Sequence, residues 1–479
     1  MDYDAVVIGG GVIGSAIIRY LSLYDMKTLL VEKEEDISSG TTKANSGIVH
    51  AGYDPEPGTL KAKLNVKGAK MIKEESGKLH FDYKVNGAMV VSFSPNDDYK
   101  IDELFERGIK NGVEDMEIIS GDEARRLEPN LSENITKCLY LKSSAIVCPF
   151  SLTQALSENA YENGAEFKFN TKVETIERIE DGYRIKTDNG LIITSNAVIN
   201  AAGVYGDTIN NMVSEKKLHI TPRRGSYMLF DNETQGMFNS TIFQLPSSKG
   251  KGVLVTPTVH GNLMIGPNSV DIPDKDDTST TAFDLDYISK EALRTTPSIP
   301  FGKVITSFSG LRAHEDSGDF IVGEAEDAPG FFNATGIESP GLSSSLSIGE
   351  MVARMVADRL GIEKKENPVL ERKAAPRPKE MSVDERNELI KSNPSYGRII
   401  CRCEEISEGE IIDAITRPLG ARSLDGVKRR VRAGMGRCQG GFCSPKVMEL
   451  IEKYASIPFE EITKNSKGSN ITMEDKVYV

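Results

Sequence analysis

Six cysteines occur in the 479-residue chain, and four of them fall in two close pairs: Cys401 and Cys403 in IICRCEE, Cys438 and Cys443 in GRCQGGFC. A CxC pair, 34 intervening residues and a CxxxxC pair supply the four thiolates that a [2Fe–2S] cluster needs, two terminal sulfurs on each iron. Zinc is the competing occupant, but structural zinc sites favour CxxC loops whose amides wrap one ion, and neither pair has that spacing. Free thiols are the third reading. Cys138 and Cys148 stand apart from the pairs, and so few spare cysteines fit a reducing compartment better than a disulfide framework.

A second signature opens the chain. Tyr3 to Ile8 (YDAVVI) is an apolar run of strand length, Gly9, Gly11 and Gly14 make GxGxxG, Ser15 to Tyr24 reads as a helix, and LLVEKE returns as a strand ending at Glu32. The glycines allow a tight turn, close approach of the backbone to a pyrophosphate and packing of helix on strand, while helix N-terminal amides face phosphate oxygens. Glu32, 23 residues after Gly9, is spaced to accept hydrogen bonds from a ribose. A lone GxGxxG also serves ordinary turns; strand, glycines, helix, strand and acidic residue in this order point to a dinucleotide. Joined to a one-electron carrier, such a domain indicates an electron-transferring oxidoreductase.

Charge narrows the class. With 58 Lys and Arg against 71 Asp and Glu, the net charge of −13 and pI near 5.2 offer nucleic acid no general attraction. The opening MDYDAVVIGGG runs into a strand without a basic leader, and no stretch reaches the ~18 uncharged apolar residues of a membrane helix. The expectation is a cytoplasmic protein, any membrane association passing through a partner.

Two later segments favour a flavin over a nicotinamide: Gly40 to Tyr53 (GTTKANSGIVHAGY), a small-residue loop suited to lie against a flat ring, and Ala197 to Gly203 (AVINAAG), a buried strand ending in small residues. With GGGVIG, NSGIVHAGYDPEPGTLKAKL, EARRLEP, VINAAGVYGD, FSGLR and GIESPGLSSS, residues 1 to about 360 resemble the D-amino-acid-oxidase-like FAD enzymes. Within these the likeness is greatest to the glycerol-3-phosphate and L-2-hydroxyglutarate dehydrogenase branch. The remainder resembles the BFD-type [2Fe–2S] module, and the two together look like the catalytic subunit of anaerobic glycerol-3-phosphate dehydrogenases. Such a resemblance implies FAD contacts at Gly9, Gly11, Gly14, Glu32, Lys33, Thr41, Thr42, Asn45, Ser46, Gly47, Val173, Ala202, Gly203, Gly310, Gly336, Gly341, Leu342 and Ser343. It also implies a [2Fe–2S] cluster on the four paired cysteines and an electron-accepting partner. Glycerol-3-phosphate enzymes commonly place an arginine just after the HxG, where Tyr53 and Asp54 stand here, and PGTLKAKL resembles the 2-hydroxyglutarate branch. Glycerol 3-phosphate is the leading substrate and L-2-hydroxyglutarate the alternative; a non-catalytic FAD and iron–sulfur electron-transfer subunit is the third.

Oxidation of either substrate needs cations for its anionic group and a base for the hydroxyl proton. Arg312, in FSGLR, is the leading anion ligand because a guanidinium fork matches carboxylate or phosphate oxygens in pairs. The competing reading is a salt bridge to Glu315, Asp316 or Asp319. Lys61 and Arg223 are weaker candidates. Of five histidines, His50 in the flavin loop, His260 in TPTVHGN and His314 beside Arg312 are candidate catalytic groups, while His80 and His219 read as structural. Lys428, Arg429, Arg430, Arg432 and Arg437 form a basic patch that either tunes the cluster and steers an acidic partner or is a solvated helix face.

The elements that must position these groups combine α/β and α+β classes. A Rossmann-like FAD-binding domain is expected from segments 1–80, 145–215 and 300–362, and an antiparallel-sheet substrate domain from 81–144 and 216–299, with strands such as GAMVVSF and GVLVTPT. Proline and charge in 363–394 read as a linker with one short helix at SVDERNELIKS; a small helical BFD-like domain follows at 395–455, then a polar tail, 456–479.

Overall fold

The structure, a computed structural model, describes residues 1–246 and 252–472, so the last part of the polar tail, 473–479, and five positions of the expected substrate domain lie outside the described residues. Tyr3–Ile8 is apolar on both faces and takes a central place in an eight-stranded sheet, as a strand covered from two sides must. Parallel to it run Thr28–Val31 and then Glu166–Lys168 on one side and Ile192–Asn200 on the other. Ile192–Asn200 pairs its first half antiparallel with Gly182–Thr187 and its end parallel with Ala328–Thr335. Helices Val12–Leu21 and Gly341–Leu360 lie together on this sheet, so close at Gly349 that a Cβ there would stand 2.7 Å from the Ala16 backbone.

A second, nine-stranded sheet carries the opposite wall of the site. Its longest pair, Ile220–Phe230 with Val304–Glu315, runs antiparallel over its whole length, Ile220 opposite Glu315 and Phe230 opposite Val304. Leu263–Gly266, Leu254–Pro257, Thr241–Gln244, Ala88–Ser92, Lys137–Leu141 and Met116–Ser120 follow in order; only Thr241–Gln244 and Ala88–Ser92 pair parallel among them. Val304–Glu315 thus sits in this sheet, whereas the sequence grouping placed 300–362 with the FAD domain. Its small, apolar FSGL run reads like a nucleotide-fold strand, but its hydrogen-bonding partner is Ile220–Phe230.

The C-terminal module is a short hairpin, Ile399–Cys401 with Ile406–Ser407, and helices Glu408–Thr416, Leu424–Val431 and Ser444–Ala455 around Ile411, Ile415, Val427, Val447 and Ile451. The preceding segment contains the expected helix, Val383–Ser392, started by a Ser382/Glu385 capping box. It is no loose linker, however: Arg372 is 7% exposed and donates to Glu158 Oε2 at 2.6 Å and to the Leu79 carbonyl, while Arg417 of the module pairs with the same Glu158 at 2.9 Å. No helix among the described residues is long and apolar enough to cross a membrane.

Candidate active site and cluster site

One cavity of about 1270 Å³ lies between the two sheets. At its nucleotide end the backbone is drawn in by glycine: Gly9 has φ +110°, and a Cβ there would stand 2.4 Å from the Ala201 carbonyl oxygen. Gly14 does not touch the cavity; it lets the first helix seat on the strand, since its Cβ would meet the Gly9 oxygen at 1.9 Å. Glu32 accepts from Gly10 N at 2.6 Å and Glu34 N at 2.9 Å, and burial pushes its carboxyl up. Thr42 Oγ1 accepts from Val12 N at 2.9 Å, tying the flavin loop to the helix start. This long, glycine-cradled groove fits an extended dinucleotide.

Most of the expected cofactor positions share its wall: Gly9, Gly11, Glu32, Lys33, Thr41, Thr42, Asn45, Ser46, Val173, Ala202, Gly203, Gly310, Gly341 and Leu342. Gly14, Gly47, Gly336 and Ser343 do not line it. Ser343 Oγ accepts from His50 N at 2.8 Å and donates to the Ile48 carbonyl, so it holds the flavin loop from behind. Gly47, at φ +65°, turns that loop, and Gly336 makes room for the Glu315 side chain.

At the far end stand His50, Phe243, Tyr227 and Arg312. The His50 ring lies 5.6 Å from the Phe243 ring, and Tyr227 stacks on Phe308 at 4.9 Å. Arg312 is half-buried in the cavity wall, burial lowering its pKa, and donates to two backbone carbonyls, Asn268 O at 2.6 Å and Arg223 O at 3.4 Å. No carboxylate among the described residues pairs with it. The acidic residues of the salt-bridge reading are engaged elsewhere: Asp319 accepts from Leu60 N and Lys61 N, Glu315 from Ser317 N, and Asp316 lies 3.6 Å from His219.

Lys61 and Arg223 are neutralised, Lys61 by Glu338 at 2.8 Å and Arg223 by Asp271 at 2.6 Å. Glu338, which the sequence reading passed over, lines the cavity; burial pushes its carboxyl up, but Lys61 and His314 more than offset that and hold it low. A single acid inside the small-residue turn GIESPG was the available signal.

Two of the candidate histidines lie off the cavity wall. His314 is not on the cavity wall; its Nδ1 lies 3.3 Å from Glu338 Oε1, one side chain behind. His260 does not line the cavity either; it sits in the turn after Leu254–Pro257, with Nε2 3.9 Å from Asp82 Oδ2. Strand alternation gives the face a residue occupies but not which end of the strand meets the site. Burial, then the nearby Arg432, lowers the His260 pKa to about 3. Because the folded value lies below the unfolded one, neutral His260 contributes fully above about pH 6.5, and that contribution is lost as pH falls toward about 3. We expect wild type to lose roughly 2 kcal/mol more than His260→Gln between about pH 6.5 and 4.5, read from urea midpoints.

The four cysteines converge although their pairs are 34 residues apart in sequence. Cys403 and Cys438 sulfurs lie 3.7 Å apart, and the free thiols of Cys401 and Cys443 are hydrogen-bonded, so each close pair takes one thiol from each motif. The bond from Cys443, with amides of Gly434 and Glu404, lowers the Cys401 pKa to about 6. Two adjacent dithiol pairs suit two irons. Every residue of the basic patch is ion-paired: Arg429 and Arg430 are buried on Asp36, Arg432 pairs with Glu404, Lys428 with Asp425, and the exposed Arg437 with Asp231 and Glu233.

Residues 4–355 match the family described as FAD dependent oxidoreductase, and 399–453 match the BFD-like [2Fe-2S] binding domain, which decides against zinc and free thiols. A protein of Caloramator mitchellensis named glycerol 3-phosphate dehydrogenase is 48% identical over 470 residues, 98% of either chain. The solved L-alpha-glycerophosphate oxidase of Mycoplasma pneumoniae, with FAD bound, superposes with a TM-score of 0.74 at 30% identity over 78% of this chain and 99% of its own. The glycerol-3-phosphate dehydrogenase of Bacillus halodurans, complexed with FAD, shares the fold over 95% of this chain and 92% of its own, with a TM-score of 0.71 at 18% identity. Cradle, family match and structural likeness together show that the chain belongs to the FAD dependent oxidoreductases, an enzyme that carries FAD and, in its C-terminal module, a [2Fe–2S] cluster.

Proposed function

We propose that the enzyme oxidises glycerol 3-phosphate to dihydroxyacetone phosphate and passes the electrons through the [2Fe–2S] cluster to a partner subunit or other acceptor. The observation that carries this reading is Arg312: a half-buried guanidinium lining the cavity with His50, bonded to carbonyls and to no carboxylate among the described residues. Such a group calls for an anion from outside, because desolvating an unpaired charge is costly. The 48% identical relative, named glycerol 3-phosphate dehydrogenase, supports phosphate as that anion.

In this reading Arg312 grips the phosphate by its fork and sets the C2 carbon toward the flavin loop. His50, fixed through its amide on Ser343, accepts the C2 hydroxyl proton as the C2 hydrogen departs with its electron pair. Tyr227 and Phe243 keep water from that end. When bound, FAD supplies the hydride acceptor and the cluster the single-electron carrier.

Steady-state turnover with an artificial one-electron acceptor, with product identified, tests the proposal. Glycerol 3-phosphate should give dihydroxyacetone phosphate, with kcat/KM for L-2-hydroxyglutarate at least about 100-fold lower. The reverse preference would move the enzyme to the 2-hydroxy acid branch, and no turnover of either would make it an electron-transfer subunit.

A further inference from the structure

The cavity is not closed by the FAD fold alone. Asn465 and Ser466, which follow the last helix of the cluster module, stand on the same wall as Glu32, Lys33 and Val173, at the nucleotide end. Thr463 Oγ1 donates to Glu35 Oε2 at 2.8 Å, three residues beyond Glu32 on the cavity wall. Behind this contact the tail is fixed to the module: Leu424 N donates to Thr463 O at 3.2 Å, Asp425 N to Lys464 O at 2.8 Å, and Lys464 Nζ bonds Asp425.

The helix that holds the tail, Leu424–Val431, also holds the flavin loop. Its Arg429 and Arg430 both reach Asp36, at 3.1 and 2.6 Å, with all three side chains at least nine-tenths buried. Burial pushes the Asp36 carboxyl up, but Arg430 and Arg429 more than offset this, so it stays ionised. Asp36 opens the turn whose Ser38 N donates to Gly10 O at 2.9 Å and whose next residues, Ser39 to Thr42, line the cavity. One rigid piece of the module therefore braces the loop from below and supplies the outer wall above it.

We infer that the cluster module and residues 463–466 are part of the FAD site, so that docking of the module and binding of FAD are thermodynamically linked. By reciprocity, whatever the module adds to FAD affinity, FAD adds to module docking. This holds whichever substrate the enzyme oxidises.

The test uses full-length protein with its cluster intact, freed of FAD and titrated with FAD by fluorescence. Replacing Arg429 and Arg430 together by glutamine should weaken FAD binding by at least about tenfold, since it leaves Asp36 buried without a cation. Thr463→Val, which removes one hydroxyl and leaves the module core untouched, should weaken it about two- to fivefold. In wild type, FAD should slow deuterium exchange at the amides of residues 463–466. If the double variant loses its cluster, Thr463→Val and the exchange measurement decide. An FAD Kd within about twofold of wild type in Thr463→Val, with exchange at 463–466 indifferent to FAD, would overturn the linkage.

Discussion

Replacing Arg312 by alanine should lower kcat/KM for glycerol 3-phosphate by roughly 30-fold to several-thousand-fold while FAD content stays normal. The estimate follows from about 2–5 kcal/mol for leaving a desolvated anion without its partner, at ~1.4 kcal/mol per decade. Arg312→Lys should recover only part of the loss, because an ammonium cannot reproduce the planar fork. Gly225 offers a gentler test of the same placement. It pairs with Gly310, two residues before Arg312 on the facing strand, and a Cβ there would stand 2.7 Å from Arg312 Nη2 and 2.8 Å from Pro267 Cβ. Gly225→Ala should therefore displace the guanidinium and lower kcat/KM in the same direction, by less. Near-normal kinetics in Arg312→Ala would show that the residue is structural.

Cys438→Ser should abolish the iron–sulfur absorption and cut turnover with one-electron acceptors by more than the roughly 10–100-fold that loss of a mere supporting group costs a metal site. Cys438 is the ligand to change because it sits on an accessible loop, whereas Cys401 and Cys443 are packed in the module's core. Addition of glycerol 3-phosphate should still bleach the flavin in this variant, since His50 and Arg312 are untouched. Bleaching lost while FAD stays bound would mean that the module also shapes the substrate end of the cavity, and acceptor turnover retained without the cluster would show that electrons leave the flavin directly.

The sequence carried the local signatures well and the long-range partners poorly. GxGxxG followed by Glu32, and the two cysteine pairs, are short patterns whose chemistry is set by neighbours in the chain, and their positions converge in the fold. Arg312 and His314 are two apart on one strand and so share a face, but Glu338, brought in from the turn before helix Gly341–Leu360, lines the cavity and holds His314 behind it. Arg429, Arg430 and Arg437 read as part of a basic patch because their partners lie far off: Asp36 is 394 residues from Arg430, and Glu233 is 204 from Arg437. Ion pairs of that span leave no periodicity to detect. The same holds for Arg372, whose proline-rich surroundings suggest a linker but whose guanidinium ends buried on Glu158. Asn465 and Ser466 carry no motif, and only the docking of the module brings them to the cavity.

Substrate-driven bleaching of the flavin under anaerobic conditions tests the central claim most directly. Glycerol 3-phosphate, added in excess to purified enzyme without any acceptor, should bleach the flavin absorption band and yield between one and about one and a half dihydroxyacetone phosphate per FAD, since the flavin takes two electrons and the cluster one, and Arg312→Ala should do so far more slowly. Bleaching by L-2-hydroxyglutarate but not by glycerol 3-phosphate, or by neither, would contradict the account.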